Sequence, residues 1–411
     1  MTVTRRPHVR PRKIGATPFR SEPVVSDPPS PVAKKPRVLL LLHEASRTGA
    51  PILARDIFRA LGDDIVLRSI AWDGGPLEED FRQLGPLTVL SAYPRLPRRL
   101  HDARDMVLAA RAVRRARLPS VGWRARRWRP DVVYANSVSS LPLVARLGLA
   151  EWPVLLHVHE LSVALAEFEG SYPGLLRRIP SRYIAVSDAV AVALQHEYEV
   201  PASSIVTIRP LVAMPEQRGA PEREPGGPFI VGGMGNPSWT KGGVLWLLAA
   251  REVIDRLGEG TVRFRWVGVR ENQEGRQFRA MADKLGLASS VDFVPETRTP
   301  LAELATIDVL AVASWEESAS LVLLEAMGLR VPVVAFRGSG GPEEVLTDGG
   351  ILVDGFSPTA MGLAVVDLVR DPERRRNIGL AGRTQADALS GPGRTGPLVL
   401  EAILSLMSGR T

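Results

Sequence analysis

The chain has 411 residues, of which 45% are hydrophobic, and its formal net charge is +7. This length predicts two domains, each with its own hydrophobic core, rather than one. No apolar run in the sequence approaches the roughly 20 residues that a membrane-spanning helix needs. The complete absence of cysteine excludes disulfides, thiolate metal sites and a cysteine nucleophile.

The positive charge is concentrated at the N-terminus, because residues 1–37 contain nine Lys or Arg against two acidic residues. The same stretch is rich in proline and poor in large apolar residues, which predicts a disordered basic tail over residues 1–36. It lacks the apolar core of a secretory signal, so we expect a cytoplasmic protein. Two interpretations of the tail stay open: a solubilising extension, or peripheral contact with an anionic membrane at its inner face.

Apolar runs alternate with helix-like segments from residue 37 to residue 210. The first run, "RVLLLL" at 37–42, is typical of a strand buried on both faces of a parallel sheet. Strand, helix and strand repeated in this way predict an open, doubly wound α/β sheet. The later runs begin at residues 64, 87, 131, 153 and 182.

The alternation stops at a Pro-, Gly- and Glu-rich stretch over residues 211–228, which has the composition of a linker. It restarts with "FIVGGMG" at 229–235 and continues to about residue 390. We therefore predict two Rossmann-like domains, 37–210 and 229–390, facing each other across a cleft. Residues 391–411 are predicted to include a terminal helix that packs back, with the N-terminal domain as a candidate partner.

The turn "GGMGNPSWTKGG" at 232–243 is the first candidate site. It is not a dinucleotide fingerprint, because Ser238 follows Gly235 where a third glycine belongs. It is not a P-loop either, because Lys241 is followed by Gly242 instead of Ser or Thr. A glycine-rich turn from strand to helix with one lysine is suited to hold phosphate through backbone N–H groups and a cation.

A second candidate site is "SWEESASLVLLEAMG" at 314–328, which we interpret as a turn followed by a helix. Glu317 is predicted to lie in the loop before the helix, and Glu325 about two turns inside it. Two carboxylates placed in this way are able to bind the two ends of one elongated ligand across the helix N-terminus. The alternative is that they are an ordinary loop acid and an ordinary helix acid.

The segment "EESASLVLLEAMGLRVPVVAF", with the later "GSGGPEEVLTDGGILV", resembles the retaining glycosyltransferases of family 4. "LLHEASRTGAP", "LLHVHEL" and "GMGNPSWTKGG" occur in the order found in that family, and the resemblance spans about residues 37–390. It implies the two-domain GT-B fold. It also implies transfer of a sugar from a nucleoside-diphosphate sugar to an acceptor hydroxyl with retention of configuration, without a metal or another cofactor.

The resemblance implies a role for each matched residue on the donor side. Glu325 would accept hydrogen bonds from the ribose hydroxyls, and Glu317 would lie beside the donor sugar and the reacting centre. Lys241 would neutralise the leaving diphosphate, to which Ser320 and Leu321 would offer backbone N–H groups.

The resemblance also implies roles for residues around this centre. Gly49 lies in the glycine loop "SRTGAP" at 46–51 and would let this loop approach the phosphates. His159 would lie near the donor sugar. Asn236 stands where the family usually has an arginine, which leaves open whether Arg209 replaces that charge. Glu344 would lie near the nucleotide.

Three alternatives stay open. A non-catalytic nucleotide-sugar-binding protein and a GT-B epimerase or phosphorylase would share this architecture. A nucleic-acid-binding role is suggested by the Arg- and Trp-rich residues 114–130. We expect instead that the arginines of this segment cover the surface of a helix or contact a membrane-bound acceptor. We therefore expect no nucleic-acid partner. The expected partners are a nucleotide-sugar donor and a saccharide, lipid-linked or small-molecule acceptor. The sequence leaves the sugar, the base and the acceptor open.

Overall fold

The structure, a computed structural model, describes residues 34–91, 117–210, 227–319, 321–389 and 392–408. Of the predicted basic tail it describes only residues 34–36, and of the predicted linker only residues 227 and 228. The prediction of disorder in the tail therefore lies outside the described residues.

The N-terminal half is built on a seven-stranded sheet in which every neighbouring pair of strands is parallel. The central strand carries the apolar run that begins at Val38, and Val38, Leu40, Leu41 and Leu42 are fully buried because helices cover both faces. The strand order is β3-β2-β1-β4-β5-β6-β7. The strands are β1 (Arg37–Glu44), β2 (Val66–Asp73), β3 (Leu87–Val89), β4 (Val132–Asn136), β5 (Val154–Val158), β6 (Arg182–Ala185) and β7 (Ile205–Thr207).

The helices of this half follow the strands in the alternation that the sequence predicts. The first helix buries Leu53, Ile57, Phe58 and Leu61, whose spacing of three to four residues forms one apolar face. It ends at Gly62, where φ is +43°. The helices are α1 (Gly49–Leu61), α2 (Glu78–Leu84), α3 (117–128), α4 (Leu141–Arg146), α5 (Ser162–Ser171), α6 (Leu175–Arg178) and α7 (Asp188–Tyr198).

The C-terminal half repeats this architecture with six parallel strands in the order β10-β9-β8-β11-β12-β13. A separate apolar core lies on each face of its sheet. The strands are β8 (Phe229–Met234), β9 (Val262–Val269), β10 (Val291–Pro295), β11 (Val309–Val312), β12 (Val333–Phe336) and β13 (Gly350–Val353). The helices are α8 (Gly243–Leu257), α9 (Gln273–Lys284), α10 (Pro300–Leu304), α11 (Leu321–Gly328), α12 (Pro342–Val345), α13 (Pro358–Arg370) and α14 (Pro372–Leu389).

The last helix, α15 (Pro392–Ser408), returns to the N-terminal half. Its apolar side chains Val399, Ala402 and Ile403 are buried in the core of that half. The helix lies against α1 and β4. No helix within the described ranges is both long and apolar enough to cross a membrane.

The strand orders place the candidate site residues. In each sheet the chain reverses its direction of winding between two central strands, β1 and β4 in one half and β8 and β11 in the other. Ligands of doubly wound folds bind beyond the carboxyl ends of such strands. Asn136 ends β4, Gly49 begins the helix after β1, and Lys241 and Glu317 lie in the loops that follow β8 and β11. The prediction of two doubly wound parallel α/β halves is confirmed.

Candidate active site

Glu317 and Lys241 form an ion pair at the carboxyl edge of the C-terminal sheet. The Lys241 Nζ atom lies 2.9 Å from Oε1 and 2.7 Å from Oε2 of Glu317, and the Ser314 hydroxyl donates to Oε2 at 2.8 Å. Glu317 is only 5% exposed. Its backbone is fixed by hydrogen bonds to Ser339 O (2.8 Å) and from Gly341 N (2.7 Å). The carboxylate is therefore held in one orientation beside a cation.

Gly242 explains how the lysine reaches this pair. Its φ is +63°, and a Cβ at this position would lie 1.8 Å from the carbonyl oxygen of Ala313. Only glycine fits both the backbone conformation and the close approach. The start of α8 can therefore lie against the end of β11, which brings Lys241 beside Glu317.

Glu325 lies on α11, which is described from Leu321 onward. Because one helical turn takes 3.6 residues, Glu325 is about one turn inside the described helix, and the prediction of two turns is wrong. Among the described residues, its carboxyl group has no hydrogen-bond or salt-bridge partner. Burial raises the pKa of Glu325 to about 7, and Asp56 on α1 adds to this effect. The group is an unused acceptor at the side of the cleft that α1 forms.

The N-terminal half contributes His159, which follows β5. Its Nε2 atom lies 3.0 Å from Asn136 Oδ1, at the end of β4, and its ring centroid lies 4.3 Å from that of His157. Burial lowers the pKa of His159 to about 3, and His43 adds to this effect. The imidazole of His159 is therefore neutral at physiological pH.

Glu160 is a neighbouring residue that the sequence analysis missed. It accepts hydrogen bonds from the backbone N–H of His159 (2.9 Å) and from the Ser137 hydroxyl. Burial raises the pKa of Glu160, while these hydrogen bonds oppose the increase. The available signal was a pair of polar residues at the ends of two adjacent buried strands, since parallel strands end at the same edge. Asn136 is the last residue of β4, and Glu160 lies two residues after β5.

Three buried polar atoms near His159 have no hydrogen-bond partner among the residues that the structure describes: His43 Nδ1, Asn136 Nδ2 and His157 Nε2. Buried polar groups are normally hydrogen-bonded, so unpaired ones mark places where a ligand or water completes the network. Tyr134 takes up the other ring nitrogen of His157, with its hydroxyl 2.6 Å from Nδ1. Asn136 and His157 thus offer neutral hydrogen-bonding groups at this edge, since burial lowers the pKa of His157.

The glycine loop of the N-terminal half is organised by Glu44. Its carboxylate accepts hydrogen bonds from the hydroxyls of Ser46 and Thr48, and the contact with His43 is the main cause that holds the pKa of Glu44 down at about 2. Gly49 begins α1, and a Cβ added there would meet no atom within 4 Å. The protein itself therefore leaves open space at Gly49, and the phosphate contact implied by the resemblance stays a prediction.

Asn236 takes the place of the family's usual arginine without supplying a charge. It follows Gly235, whose φ is +114°, and its Nδ2 atom donates to Glu274 Oε2 at 2.6 Å. Arg209, the candidate replacement, lies 2.8 Å from Asp188 and 3.2 Å from Glu344. In this structure two carboxylates accompany the Arg209 guanidinium, so its role as a phosphate ligand stays a prediction.

Glu344 contacts the opposite half of the protein. It accepts hydrogen bonds from the backbone N–H groups of Asp188 (2.9 Å) and Ala189 (2.7 Å). A small open pocket lies beside it between the halves, with Ser187, Ala319 and Leu324 among its lining residues. The nucleotide contact of Glu344 stays a prediction. The same holds for the diphosphate contacts of Leu321, which opens α11, and of Ser320, which lies outside the described residues.

The structure shows no metal-binding cluster in its described ranges, since no three His, Asp or Glu side chains there are grouped closely enough to hold an ion. The charged groups that the structure brings together at the cleft are the pair Glu317 and Lys241, with Glu325 on the following helix. Their arrangement offers a cation, a helix N-terminus and a free carboxyl acceptor. This combination suits a ligand that carries both phosphate and a diol.

Two family models match the chain, one in each half. "Glycosyltransferase Family 4" matches residues 56–214, and "Glycosyl transferases group 1" matches residues 228–371. Together they include every candidate site residue except Gly49, which lies just before the first match.

Curated relatives match shorter stretches. A D-inositol 3-phosphate glycosyltransferase of Paenarthrobacter aurescens is 38% identical over 130 residues, which cover 30% of this chain and 31% of the relative. A GDP-mannose-dependent alpha-(1-6)-phosphatidylinositol monomannoside mannosyltransferase of Mycolicibacterium smegmatis is 43% identical over 115 residues, 25% of this chain and 30% of the relative. The chain thus spans less than a third of the length of these two relatives in the matched stretches.

Solved structures match nearly the whole chain. Anabaena Alr3699/HepE in complex with UDP and glucose superposes with a TM-score of 0.72 at 20% identity, covering 90% of this chain and all of that one. WaaG, a glycosyltransferase involved in lipopolysaccharide biosynthesis, gives a TM-score of 0.62 at 16% identity, covering 88% and 99%. At these identities the likeness shows the fold. Since both halves match glycosyltransferase family models and their parallel sheets form this two-domain α/β architecture, the chain belongs to the family-4 type of glycosyltransferases with the GT-B fold.

Proposed function

We propose that the protein transfers a sugar from a nucleoside-diphosphate sugar to an acceptor hydroxyl, with retention of the anomeric configuration. One observation carries the proposal: the buried ion pair of Glu317 and Lys241 lies at the strand edge where doubly wound folds bind ligands. The free acceptor Glu325 follows on the next helix. No other arrangement of charges among the described residues combines these features with the family's sequence pattern.

On the donor side, each group has a distinct task. The Glu325 carboxylate accepts hydrogen bonds from the two ribose hydroxyls, because it has two oxygens and no competing partner. Lys241 and the backbone N–H groups of Ser320 and Leu321 stabilise the negative charge that develops on the leaving diphosphate. Glu317 holds Lys241 in place and lies beside the donor sugar. Because Asn236 supplies no charge, Lys241 has the larger share of this stabilisation.

On the acceptor side, the polar groups are neutral and able to hold a hydroxyl. The acceptor oxygen forms a bond to the anomeric carbon on the face from which the diphosphate departs. The bond between that carbon and the phosphate oxygen breaks, and the acceptor proton passes to the departing phosphate oxygen. His159 acts here as a hydrogen-bonding group and not as a base, since its pKa is about 3. This scheme uses no metal and no other cofactor.

The relatives and neighbours narrow the substrates we propose. Two relatives act, by name, on inositol 3-phosphate and on phosphatidylinositol monomannoside, and a structural neighbour holds UDP and glucose. We propose a UDP- or GDP-sugar as donor and a saccharide, lipid-linked or small-molecule acceptor with a free hydroxyl. A cytoplasmic protein in peripheral contact with an anionic membrane fits a lipid-linked acceptor, and α3 exposes Trp123 beneath the guanidinium of Arg127 for such a contact.

A thermal-shift panel of UDP, GDP, ADP and dTDP with the corresponding sugar nucleotides tests the donor class. We expect one nucleotide to stabilise the protein selectively, by about 2.7 kcal/mol at 100 times its Kd. NMR of the product formed from that donor should show the donor's own anomeric configuration. Stabilisation by none of the nucleotides would contradict the proposal, and an inverted product would contradict retention. Binding without turnover of any acceptor would favour the non-catalytic alternative, and sugar release or phosphate dependence without an acceptor would favour the epimerase or phosphorylase.

A further inference from the structure

Two carboxylates of the C-terminal half reach across the cleft to helix N-termini of the N-terminal half. Glu344 accepts hydrogen bonds from Asp188 N at 2.9 Å and from Ala189 N at 2.7 Å, at the start of α7. Glu316 accepts one from Val163 N at 3.0 Å, in the first turn of α5. Each contact joins residues more than 150 positions apart, one in each half.

The contact at α7 completes the capping of that helix. The first N–H groups of a helix have no partner within it. The Ser187 hydroxyl accepts from Val190 N, and its carbonyl accepts from Ala191 N, which leaves the N–H groups of Asp188 and Ala189 for Glu344. A carboxylate is also favoured there by the positive end of the helix dipole.

Arg209 strengthens the same contact. Its guanidinium lies 2.8 Å from Asp188 and 3.2 Å from Glu344, so it joins the two carboxylates from opposite halves. The Glu344 side chain is 15% exposed. Hydrogen bonds to a charged and largely buried acceptor are stronger than those between neutral groups.

These contacts lie next to the candidate catalytic residues on both sides of the cleft. Glu316 precedes Glu317 in the chain, and Gly341, three residues before Glu344, donates its N–H to the Glu317 carbonyl. A Cβ at Gly340 would lie 2.8 Å from Leu161 and 3.1 Å from the Glu317 carbonyl. Leu161 is two residues from His159. The halves therefore touch beside the Glu317 backbone, at a residue close in sequence to His159.

We propose that Glu316 and Glu344 are positioning residues that hold the two halves closed around the bound substrates. In this role Glu344 binds the N-terminus of α7 and not the nucleotide. When the halves separate, both carboxylates and the three N–H groups return to water. Exchanging strong hydrogen bonds for hydration makes the net preference small, so the cleft can open for product release. The effect on catalysis rests on the proposed transferase function, whereas the effect on closure does not.

The absence of cysteine makes closure measurable by fluorescence. A dye pair on Ser203→Cys in the N-terminal half and Ser289→Cys in the C-terminal half reports the distance between them in an otherwise full-length protein. We expect the double variant, which combines Glu316→Gln and Glu344→Gln, to shift the distribution of dye distances from one closed population towards longer distances. Glu259→Gln, which removes the same charge from an exposed position outside the cleft, should leave the distribution unchanged.

The nucleotide found in the thermal-shift panel separates positioning from binding. In the double variant, transfer kcat should fall about tenfold or more, while the Kd for the free nucleotide stays within about threefold. Raising the salt concentration should shift the wild-type distribution in the same direction as the variant. If the protein transfers no sugar, the distance measurement still decides whether the contacts close the cleft.

Two outcomes overturn the proposal. One is an unchanged distance distribution in the folded double variant. The other is a loss of nucleotide affinity of about tenfold or more in Glu344→Gln alone, which would instead show that Glu344 binds the nucleotide. Should the double variant unfold, the milder single variants Glu316→Gln and Glu344→Gln provide the same comparison.

Discussion

The two sides of the cleft handle charge in opposite ways. In the C-terminal half, Glu317 and Lys241 are within 2.9 Å of each other, and each neutralises the other. Around His159 in the N-terminal half, burial favours the uncharged forms: it lowers the pKa of His159 to about 3 and raises that of Glu160. One side presents paired charges, and the other presents neutral hydrogen-bonding groups.

This difference follows what each side is proposed to bind. A diphosphate needs a cation and oriented N–H groups, which can be separated from their resting partners when the ligand arrives. An acceptor hydroxyl needs uncharged donors and acceptors, because a buried unpaired charge would be costly. The four predictions below test the contrast, beginning with the charged side.

The largest effect should come from Lys241→Ala. The cation faces the departing diphosphate in our proposal, and comparable preorganised groups contribute about 2.7 to 4 kcal/mol to the transition state. We therefore expect kcat to fall about 100- to 1000-fold in steady-state assays. Removing the lysine also leaves Glu317 buried without its partner, so the melting temperature must be measured in parallel.

Lys241→Arg and Lys284→Ala serve as controls for this change. The first keeps a charge at the site and should recover part of the rate, while the second removes a charge from an exposed position of α9. Full activity in folded Lys241→Ala would show that the ion pair is structural.

Glu325→Gln should mainly weaken donor binding. Losing a charged acceptor from a buried ligand contact costs about 1.5 to 3 kcal/mol, or roughly 10- to 150-fold in affinity. Isothermal titration with the identified nucleotide measures this change directly, and kcat at saturating donor should change much less. Glu373→Gln, on the exposed face of α14, is the matched control. Equal affinities in the two variants would leave Glu325 as an ordinary helix acid.

The contrast between the halves also explains what the sequence could predict. Glu317 and Glu325 lie within one segment of nine residues, so their pattern is local and visible. The doubly wound sheets are equally visible, because β1 and β8 carry apolar runs that parallel sheets require. The described part of α11 begins at Leu321, as the sequence pattern predicts, and the error lay only in counting two turns between Leu321 and Glu325.

The rest depends on contacts between distant parts of the chain. Asn136 and His159 are 23 residues apart and meet because β4 and β5 are adjacent. Glu316 and Val163 are 153 residues apart and meet only when the halves come together. Such pairs have no periodic pattern, so no reading of spacing would have found them.

Asn136→Ala tests the neutral side. The amide is fully buried and contacts His159, so its loss should misplace the imidazole and raise the acceptor KM about 5- to 30-fold, corresponding to about 1 to 2 kcal/mol for one buried hydrogen bond. Nucleotide affinity should remain unchanged. Ser69→Ala provides the control, because it removes a buried hydroxyl of the same sheet that has no hydrogen-bond partner in the described part of the chain. A parallel loss of nucleotide affinity in Asn136→Ala would contradict the division into two sides.

The smallest effect, and the most direct test of the contrast, is the pH dependence of stability. The pKa of His159 is lowered from 6.5 to about 3, so the unfolded chain binds the proton more readily, and the folded state loses stability as the pH falls below about 6.5. The pKa of Glu325 is raised from 4.5 to about 7, so its stability contribution is complete below 4.5 and is lost as the pH rises through 7. His159→Asn should therefore gain stability relative to wild type at pH 5, and Glu325→Gln at pH 6, each by up to about 2 kcal/mol in addition to any change that is independent of pH. Urea unfolding of the three proteins at several pH values measures both slopes. If the stability differences between the two variants and wild type changed with pH in the same direction, the two sides of the cleft would not differ in the way the structure indicates.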